Sequence, residues 1–381
     1  MMNIENVLGK DFRPMLVFNA IVMVLGLAAS ILLFFRFPVL PKKRFFSSAR
    51  VSVIIPARNE EFNLPGLLTD LAAQRRPADE IIVVDDGSAD GTARLASAMG
   101  VRVISITDKP AGWNGKSFAC QTGAQASTGD WLLFLDADVR LHPDAIESLL
   151  AAASGTVNVV SVQPYHQLLK PYEHLSLFFN LIQAGANGLT AVGHPQHIGL
   201  FGPLILISQS IYRSIGGHEG VCSELIEDLA LGTRLNRSHI PYLLYLGNGT
   251  VAYRMYPAGI RLLSQGWIKN VAIGALKTKL PLFAAVFGLI LACATPLLYG
   301  SIALFQGDWI GVMVYAAFYL AWVVELARVS RRLGNFRWWS IAMYPLPLLY
   351  FLGIFCLSFF RRLFRLPVVW KNRKISQGGK K

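Results

Sequence analysis

Apolar residues along this chain come in two kinds of run. Four are long: Leu16 to Phe35, Pro281 to Leu304, Trp309 to Leu326 and Ile341 to Phe360. Each approaches the length that crosses a bilayer as a helix. The rest are short, broken by charge, glycine and proline, and lie from about Arg50 to Met255. The pattern predicts an N-terminal anchor over residues 1–40, a water-facing domain over 48–256 and an amphipathic interfacial helix over 257–280. Membrane segments over 281–360 and a basic tail over 361–381 follow.

Within the middle stretch the short runs read as strands and helices in alternation. Val51 to Ile55, Glu80 to Val84, Val101 to Ile106 and Trp131 to Leu135 are strand-like. Leu64, Leu67, Leu68 and Leu71 share one helical face, and further helices pass through Thr92, Leu95 and Ala96 and through Lys116 to Ala126. This spacing predicts an α/β fold, a mostly parallel sheet covered on both faces. Ligands of such sheets bind beyond the carboxyl ends of the strands. Three polar clusters stand there: Arg58-Asn59-Glu60, Asp85-Asp86 and Asp136/Asp138. They should converge on one crevice, where two carboxylates could point toward a divalent cation that, with loop amides, neutralises a diphosphate. Taken singly, Asp85-Asp86-Gly87-Ser88 also suits a turn and helix cap, and Asp136-Ala137-Asp138 a solvated loop.

Composition agrees with the two-part plan. Of 381 residues 53% are hydrophobic and 15% charged, too apolar for an ordinary soluble chain and too charged for a pure membrane bundle. The first run is too long for the core of a cleaved signal and lacks a small-residue cleavage site, so it reads as an anchor. The net charge of +13 gathers beside the long runs, at Arg36 to Arg44, Arg328 to Arg337 and Arg361 to Lys374. Such clusters favour the cytoplasmic face and anionic phospholipid, and no groove-reading motif points to nucleic acid. The chain is therefore expected in the cytoplasmic membrane, with its domain and tail in the cytoplasm. A full fourth crossing would strand the basic tail outside. Pro345 and Pro347 could instead bend that segment into a re-entrant hairpin. Leu175 to Val192, apolar but holding Asn180, Gln183 and Asn187, is expected to lie along the lipid surface. The same is expected of the stripe Ile260, Leu263, Trp267 and Val271. Cys120, Cys222, Cys293 and Cys356 lack metal-site spacing and read as reduced and structural. His166, His194, His197, His218 and His239 read as structural or acceptor-contacting, not as metal ligands.

With those clusters in view the sequence resembles the family 2 glycosyltransferases of the GT-A fold. The likeness rests on Val53-Ile-Ile-Pro-Ala-Arg-Asn-Glu60, Val84-Asp-Asp-Gly-Ser88, Gly115-Lys116, Leu135-Asp-Ala-Asp138 and Ile226-Glu-Asp-Leu229. Ser161 to His166, Phe201-Gly-Pro203, Gly216-Gly-His218, Tyr253-Arg-Met-Tyr256 and Gln265-Gly-Trp267 are similar to the bacterial carotenoid glycosyltransferases. What the resemblance implies is a UDP-sugar donor, held by Pro56, Ala57, Arg58 and Glu60, with Asp86 reading the base and Asp85 supporting it. It further implies Lys116 on the nucleotide and Asp136 and Asp138 on Mg2+ or Mn2+. Asp228, beside Glu227, takes the place of the catalytic base. Gln265, Trp267, Trp370 and Arg373 take the acceptor side. No arginine precedes Trp267, a departure that argues against polysaccharide synthesis.

The implied reaction is inverting transfer of a hexose, glucose first, to a membrane-soluble lipid acceptor. Two acceptors stay open. A hydroxyl needs a base, for which Asp228 is placed. A carotenoid carboxylate is already ionised at neutral pH and needs none. An inactive scaffold is the non-enzymatic alternative, against which the intact acidic clusters and Lys116 stand.

Overall fold

The computed structural model describes residues 4–155, 157–193, 197–224, 226–364, 366, 368–370 and 373–375. His194, Arg365, Lys371 and Asn372 lie outside the described residues. The chain opens with one long helix, α1 (Ile4–Leu33). After it come β1 (Val51–Ala57), α2 (Leu64–Ala72), β2 (Glu80–Asp85), α3 (Thr92–Ala98), β3 (Arg102–Ser105), α4 (Gly115–Ala126) and β4 (Trp131–Leu135). Apolar runs with mostly buried side chains make β1, β2 and β4, and each of these ends where a polar cluster takes over. The register Ala57↔Asp85 and the parallel pairing of β1 with β4 put those three strand ends at one edge.

The second half of the domain comprises β5 (Val139–Leu141), α5 (Ala145–Ala152), β6 (Val159–Gln163), β7 (Tyr165–His166), a 3-10 turn (Pro171–Ser176) and α6 (Leu177–Ala186). These are followed by β8 (Leu204–Ser208), α7 (Gln209–Ser214), α8 (Glu227–Arg237), β9 (Leu243–Leu246) and β10 (Val251–Tyr253). The main sheet runs β3-β2-β1-β4-β8-β6-β9, with β8 antiparallel to both neighbours and the other pairings parallel. A small sheet, β5-β10-β7, is set beside it.

Each face of the main sheet has its own core. On one, Leu64, Leu67 and Leu71 of α2 and Ile146 and Leu149 of α5 cover Ile55, Leu133 and Leu135. On the other, Ile54, Leu132 and Phe134 belong to a core that continues through α6 into four further helices. Those are α9 (Ile260–Lys277), α10 (Leu280–Gln306), α11 (Trp309–Leu333) and, after the short α12 (Trp338–Ala342), α13 (Pro345–Leu363). Phe178 and Phe179 of α6 therefore pack against Trp267, Phe351 and their neighbours. The expected lipid-surface segment is instead mostly interior, because its apolar face finds protein partners on both sides.

Helices α1, α10, α11 and α13 are long and apolar enough to cross a membrane. Asn19 donates to the Tyr315 hydroxyl between α1 and α11 (2.9 Å). Ser30 donates to Glu325 (2.8 Å), which Arg328 grips with two N–H groups at 2.7 Å each. The Ile341–Phe360 run breaks where its prolines fall, with Pro345 in the first turn of α13, where its missing N–H costs nothing. Ser340 of α12 meets His174 (3.1 Å) and Ser358 of α13 donates to the Ile268 carbonyl (2.6 Å). The bend between them carries Tyr344, which donates to Cys293 of α10 (3.1 Å) and stacks on Tyr319 of α11. Both arms thus return toward the domain. Beyond them β11 (Val368–Trp370) pairs with β12 (Arg373–Ile375) and lies against α9.

Candidate active site

The first corner of the site is built by the loops after β1 and β2. Asn59 takes φ 51°, a left-handed conformation asparagine tolerates, and Gly87 takes φ 64°. These turns let the loops exchange hydrogen bonds: Asn59 N–H to Ser88 (2.9 Å), Ala89 N–H to the Asn59 amide oxygen (2.8 Å) and Glu60 N–H to Thr92 (2.9 Å). Arg58 donates to the Asp86 carbonyl (2.7 Å), its guanidinium 3.7 Å from the Asp86 carboxylate. Asp85, 5% exposed, accepts from Ser88 N–H (3.3 Å) and holds the turn. Pro56 and Ala57 form the rim that pairs with Val84 and Asp85. Together these bonds tie the two loops into one corner that carries Arg58, Asp85 and Asp86.

The second corner is a cluster of charge. Lys116, in the first turn of α4, places its ammonium 2.7 Å from Asp136 and 3.1 Å from Glu227. Burial works against that charge, but Asp136 and then Glu227 hold the ammonium well above the usual lysine range. Glu227 is 5% exposed. Burial alone would raise its proton affinity; Lys116 outweighs it and keeps the carboxyl ionised. Asp228 goes the other way: burial and the neighbouring Glu227 raise its proton affinity, against the N–H groups of Leu229 (2.8 Å) and Gly202 (2.7 Å) that it accepts. Adjacent carboxylates driven apart in this manner mark sites that handle charge.

Asp136 and Asp138 leave the end of β4 together, since Ala137 between them is buried. Among the described residues no group of three or more His, Cys, Asp or Glu stands ready to hold an ion. Two aspartates are nonetheless hard oxygen donors, a set that suits Mg2+ or Mn2+ when substrate phosphates complete the shell. Asp138 has Tyr253 and Tyr256 close by, and its charge adds to the burial that keeps both phenols protonated. Behind them runs a buried chain from Gln163 to Tyr253 (3.0 Å), Tyr253 to Asn180 (3.3 Å) and Asn180 to His166 (3.0 Å).

The acceptor-side expectations fall on α9 and the terminal hairpin. Trp267 is 4% exposed, stacks on Phe179 with ring centres 4.5 Å apart, and donates to Ser176 (3.4 Å). Gln265, two residues earlier, is half-buried. Trp370 and Arg373 face each other in the β11–β12 register. Two residues had no site role assigned from the sequence. Tyr256 combines φ 56° with closeness to Asp138, Asp136 and Lys116. Lys269, on α9, lies within the fields of Glu227, Asp228 and Asp136. An aromatic residue at positive φ is a backbone outlier visible only in three dimensions.

Comparison with known proteins adds a lineage to this geometry. The profile of glycosyl transferase family 2 matches residues 52–203. A 4,4'-diaponeurosporenoate glycosyltransferase of Staphylococcus haemolyticus is 34% identical over 342 residues, covering 88% of this chain and 91% of the relative. Its counterpart in Staphylococcus aureus is 34% identical over 373 residues, 93% of this chain and 96% of the relative. Among solved structures, the mannosyltransferase PcManGT of Pyrobaculum calidifontis, in complex with GDP-Man and Mn2+, aligns over 92% of this chain and 99% of its own. Its TM-score of 0.54 at 16% identity is a likeness of fold.

Proposed function

This chain belongs to the family 2 glycosyltransferases, and from that premise we propose that it moves glucose, with inversion, from UDP-glucose to the carboxylate of a membrane-dissolved carotenoid acid. One observation carries the reading: the likeness to enzymes named for such an acid runs through the membrane helices as well as the catalytic domain. Those helices share a core with the sheet, so a lipid acceptor and a water-borne donor would meet at one edge.

The loops at Pro56 to Glu60 and Asp85-Asp86 would hold the nucleotide, with Asp86 reading the base and Asp85 fixing the turn. Asp136 and Asp138 would hold a divalent cation, which supplies charge neutralisation at the donor diphosphate. Lys116 adds a fixed positive charge beside it and bridges Glu227 and Asp136. A carboxylate oxygen of the acceptor forms the new bond to the anomeric carbon, and the bond to the diphosphate breaks with its electron pair leaving on UDP. No proton moves. Asp228 then serves to hold Gly202 and the start of α8 in place. A hydroxyl acceptor is the second reading, favoured by the raised proton affinity of Asp228, which suits a base working near neutral pH. The basic clusters at Arg36 to Arg44, Arg328 to Arg337 and Arg361 onward support a cytoplasmic face for the domain and the tail, against anionic lipid.

Membranes containing the full chain, given labelled UDP-glucose and a carotenoid acid, should yield labelled lipid from which mild alkali frees the sugar. Alkali-stable labelled lipid would instead identify a hydroxyl acceptor. Label retained in an aqueous polymer, or no transfer at all, would overturn the proposal.

A further inference from the structure

We propose that Lys269 is the residue that recognises the acceptor's carboxylate, setting acid acceptors apart from neutral ones. This rests on the carotenoid-acid reading above and names the group in the protein that would enforce it.

Helix α9 is fastened along its length. Trp267 is stacked on Phe179 and bonded to Ser176, the Ile268 carbonyl accepts from Ser358, and Lys277 at its end lies 3.6 Å from Glu224, in the loop leading to α8. On a helix, positions three and four residues before Lys269 share its face. They are Gly266 and Gln265. Gly266 is pressed against the Tyr256 ring so closely that no Cβ fits there. Tyr256 in turn lies within the fields of Asp138 and Asp136. The face of α9 carrying Gln265, Gly266 and Lys269 is therefore the wall opposite the catalytic carboxylates. Lys269 is half-buried on it, and Glu227, Lys116, Asp228 and Asp136 all act on its charge.

What distinguishes the two lysines is commitment. Lys116 is fully engaged by Asp136 and Glu227. Among the described residues no carboxylate comes within ion-pair distance of Lys269, although it stands in acidic surroundings. Burial lowers its proton affinity, and an arriving anion would restore what burial removes. An ionised acid entering this site meets Asp136, Asp138, Glu227 and Asp228, all repulsive. A neutral alcohol would feel none of that repulsion. An acid acceptor needs a cation on its own side of the site, and Lys269 is a lysine there with no carboxylate at ion-pair distance among the described residues. The donor diphosphate offers the same anionic chemistry, but Lys116 and the aspartates that would hold a metal already flank the end of β4.

The test uses the full-length enzyme in detergent or membranes, with Lys269→Met and Lys269→Arg. The methionine variant should lose about tenfold to a hundredfold in kcat/KM for the carotenoid acid, the range of one charge-assisted contact. The KM for UDP-glucose should stay within about twofold, and the arginine variant should recover most of the loss. Inhibition by the corresponding carotenoid alcohol should be alike in wild type and Lys269→Met. Lys269→Gln, with its polar stem, replaces the methionine variant if that protein no longer binds UDP. An unimpaired Lys269→Met, a loss falling on the donor, or an equal loss for acid and alcohol each overturns the assignment while leaving the acceptor reading intact. A wild type that never accepts the acid overturns the acceptor reading, and the role of Lys269 with it.

Discussion

Replacing Asp228 by asparagine separates the two acceptor chemistries, and the structure sets what each should show. One carboxylate oxygen accepts from Leu229 N–H at 2.8 Å and the other from Gly202 N–H at 2.7 Å. Asparagine keeps a single oxygen, so one N–H must face an amide that also donates. Losing a charge-assisted hydrogen bond of this kind costs about 1.5–3 kcal/mol, enough to loosen Gly202 but not to unfold a domain with two extensive cores. That structural cost is common to both chemistries. The chemical cost is not. With a hydroxyl acceptor, loss of the base should lower kcat roughly a hundredfold to ten-thousandfold, about 3–5 kcal/mol of barrier. With a carboxylate acceptor there is no proton to remove, and kcat should stay within about tenfold of wild type. The pH profile gives an independent reading. Because burial and Glu227 raise the proton affinity of Asp228, hydroxyl chemistry should fail as pH falls through a value above the ordinary carboxylate range. The acid acceptor should show no such limb. The assay is turnover at saturating UDP-glucose, with UDP binding as the control for an intact site. A thousandfold loss on the carotenoid acid, with UDP binding preserved, would refute this reasoning.

Three further outcomes are expected. Asp138→Ala should abolish transfer while leaving the protein folded in membranes, and excess EDTA should do the same to wild type; full activity in either would exclude the proposed cation. His166 and His218 are held neutral by burial, each pushed down to about 4 from 6.5. The unfolded chain binds these protons first, so stability should fall as pH drops from about 6.5 to 4, by on the order of 3 kcal/mol per histidine; a denaturant midpoint that does not move over that range would contradict it. Gly232 of α8 sits against Gly199 with no room for a Cβ, so Gly232→Ala should cost about 1–3 kcal/mol and, by shifting the helix that bears Glu227, lower turnover; an unchanged melting temperature would count against it.

The sequence made β1 to β4 legible because they are brief apolar runs, with β1, β2 and β4 ended by charge; β6, β8 and β9, which end at Gln163, Ser208 and Leu246, carry no such mark. Asp85, Asp86, Asp136 and Asp138 announce strand ends locally, and parallel alternation then forces them together. Leu204 to Ser208 hid its direction, since five buried residues in a row look the same running either way. The interior position of Phe178 and Phe179 was equally hidden, because an apolar helix face suits lipid and protein alike. Tyr256 and Lys269 were missed for a related reason. What places them is the return of α9 past the ends of β4 and α8, a tertiary event with no local signature. Lys116 shows the intermediate case. Its presence beside Gly115 was legible, but its bridging of Asp136 and Glu227 depended on residues 20 and 111 positions away.

The shared core has a consequence for how the enzyme is made. The face of the sheet built on α2 and α5 closes as soon as Val251 has been synthesised. The opposite face, with Ile54, Leu132 and Phe134, shares its core with Leu289, Trp322, Val329 and Phe351 from helices long and apolar enough to cross a bilayer. At ordinary translation rates that interval is on the order of ten seconds. Throughout it the nascent domain carries half a core open to its surroundings, beside the very membrane that will supply the missing half. Insertion of α10, α11 and α13 is then part of folding the catalytic domain. A defect in any of these helices should surface as degradation of the nascent chain rather than as a soluble, inactive enzyme.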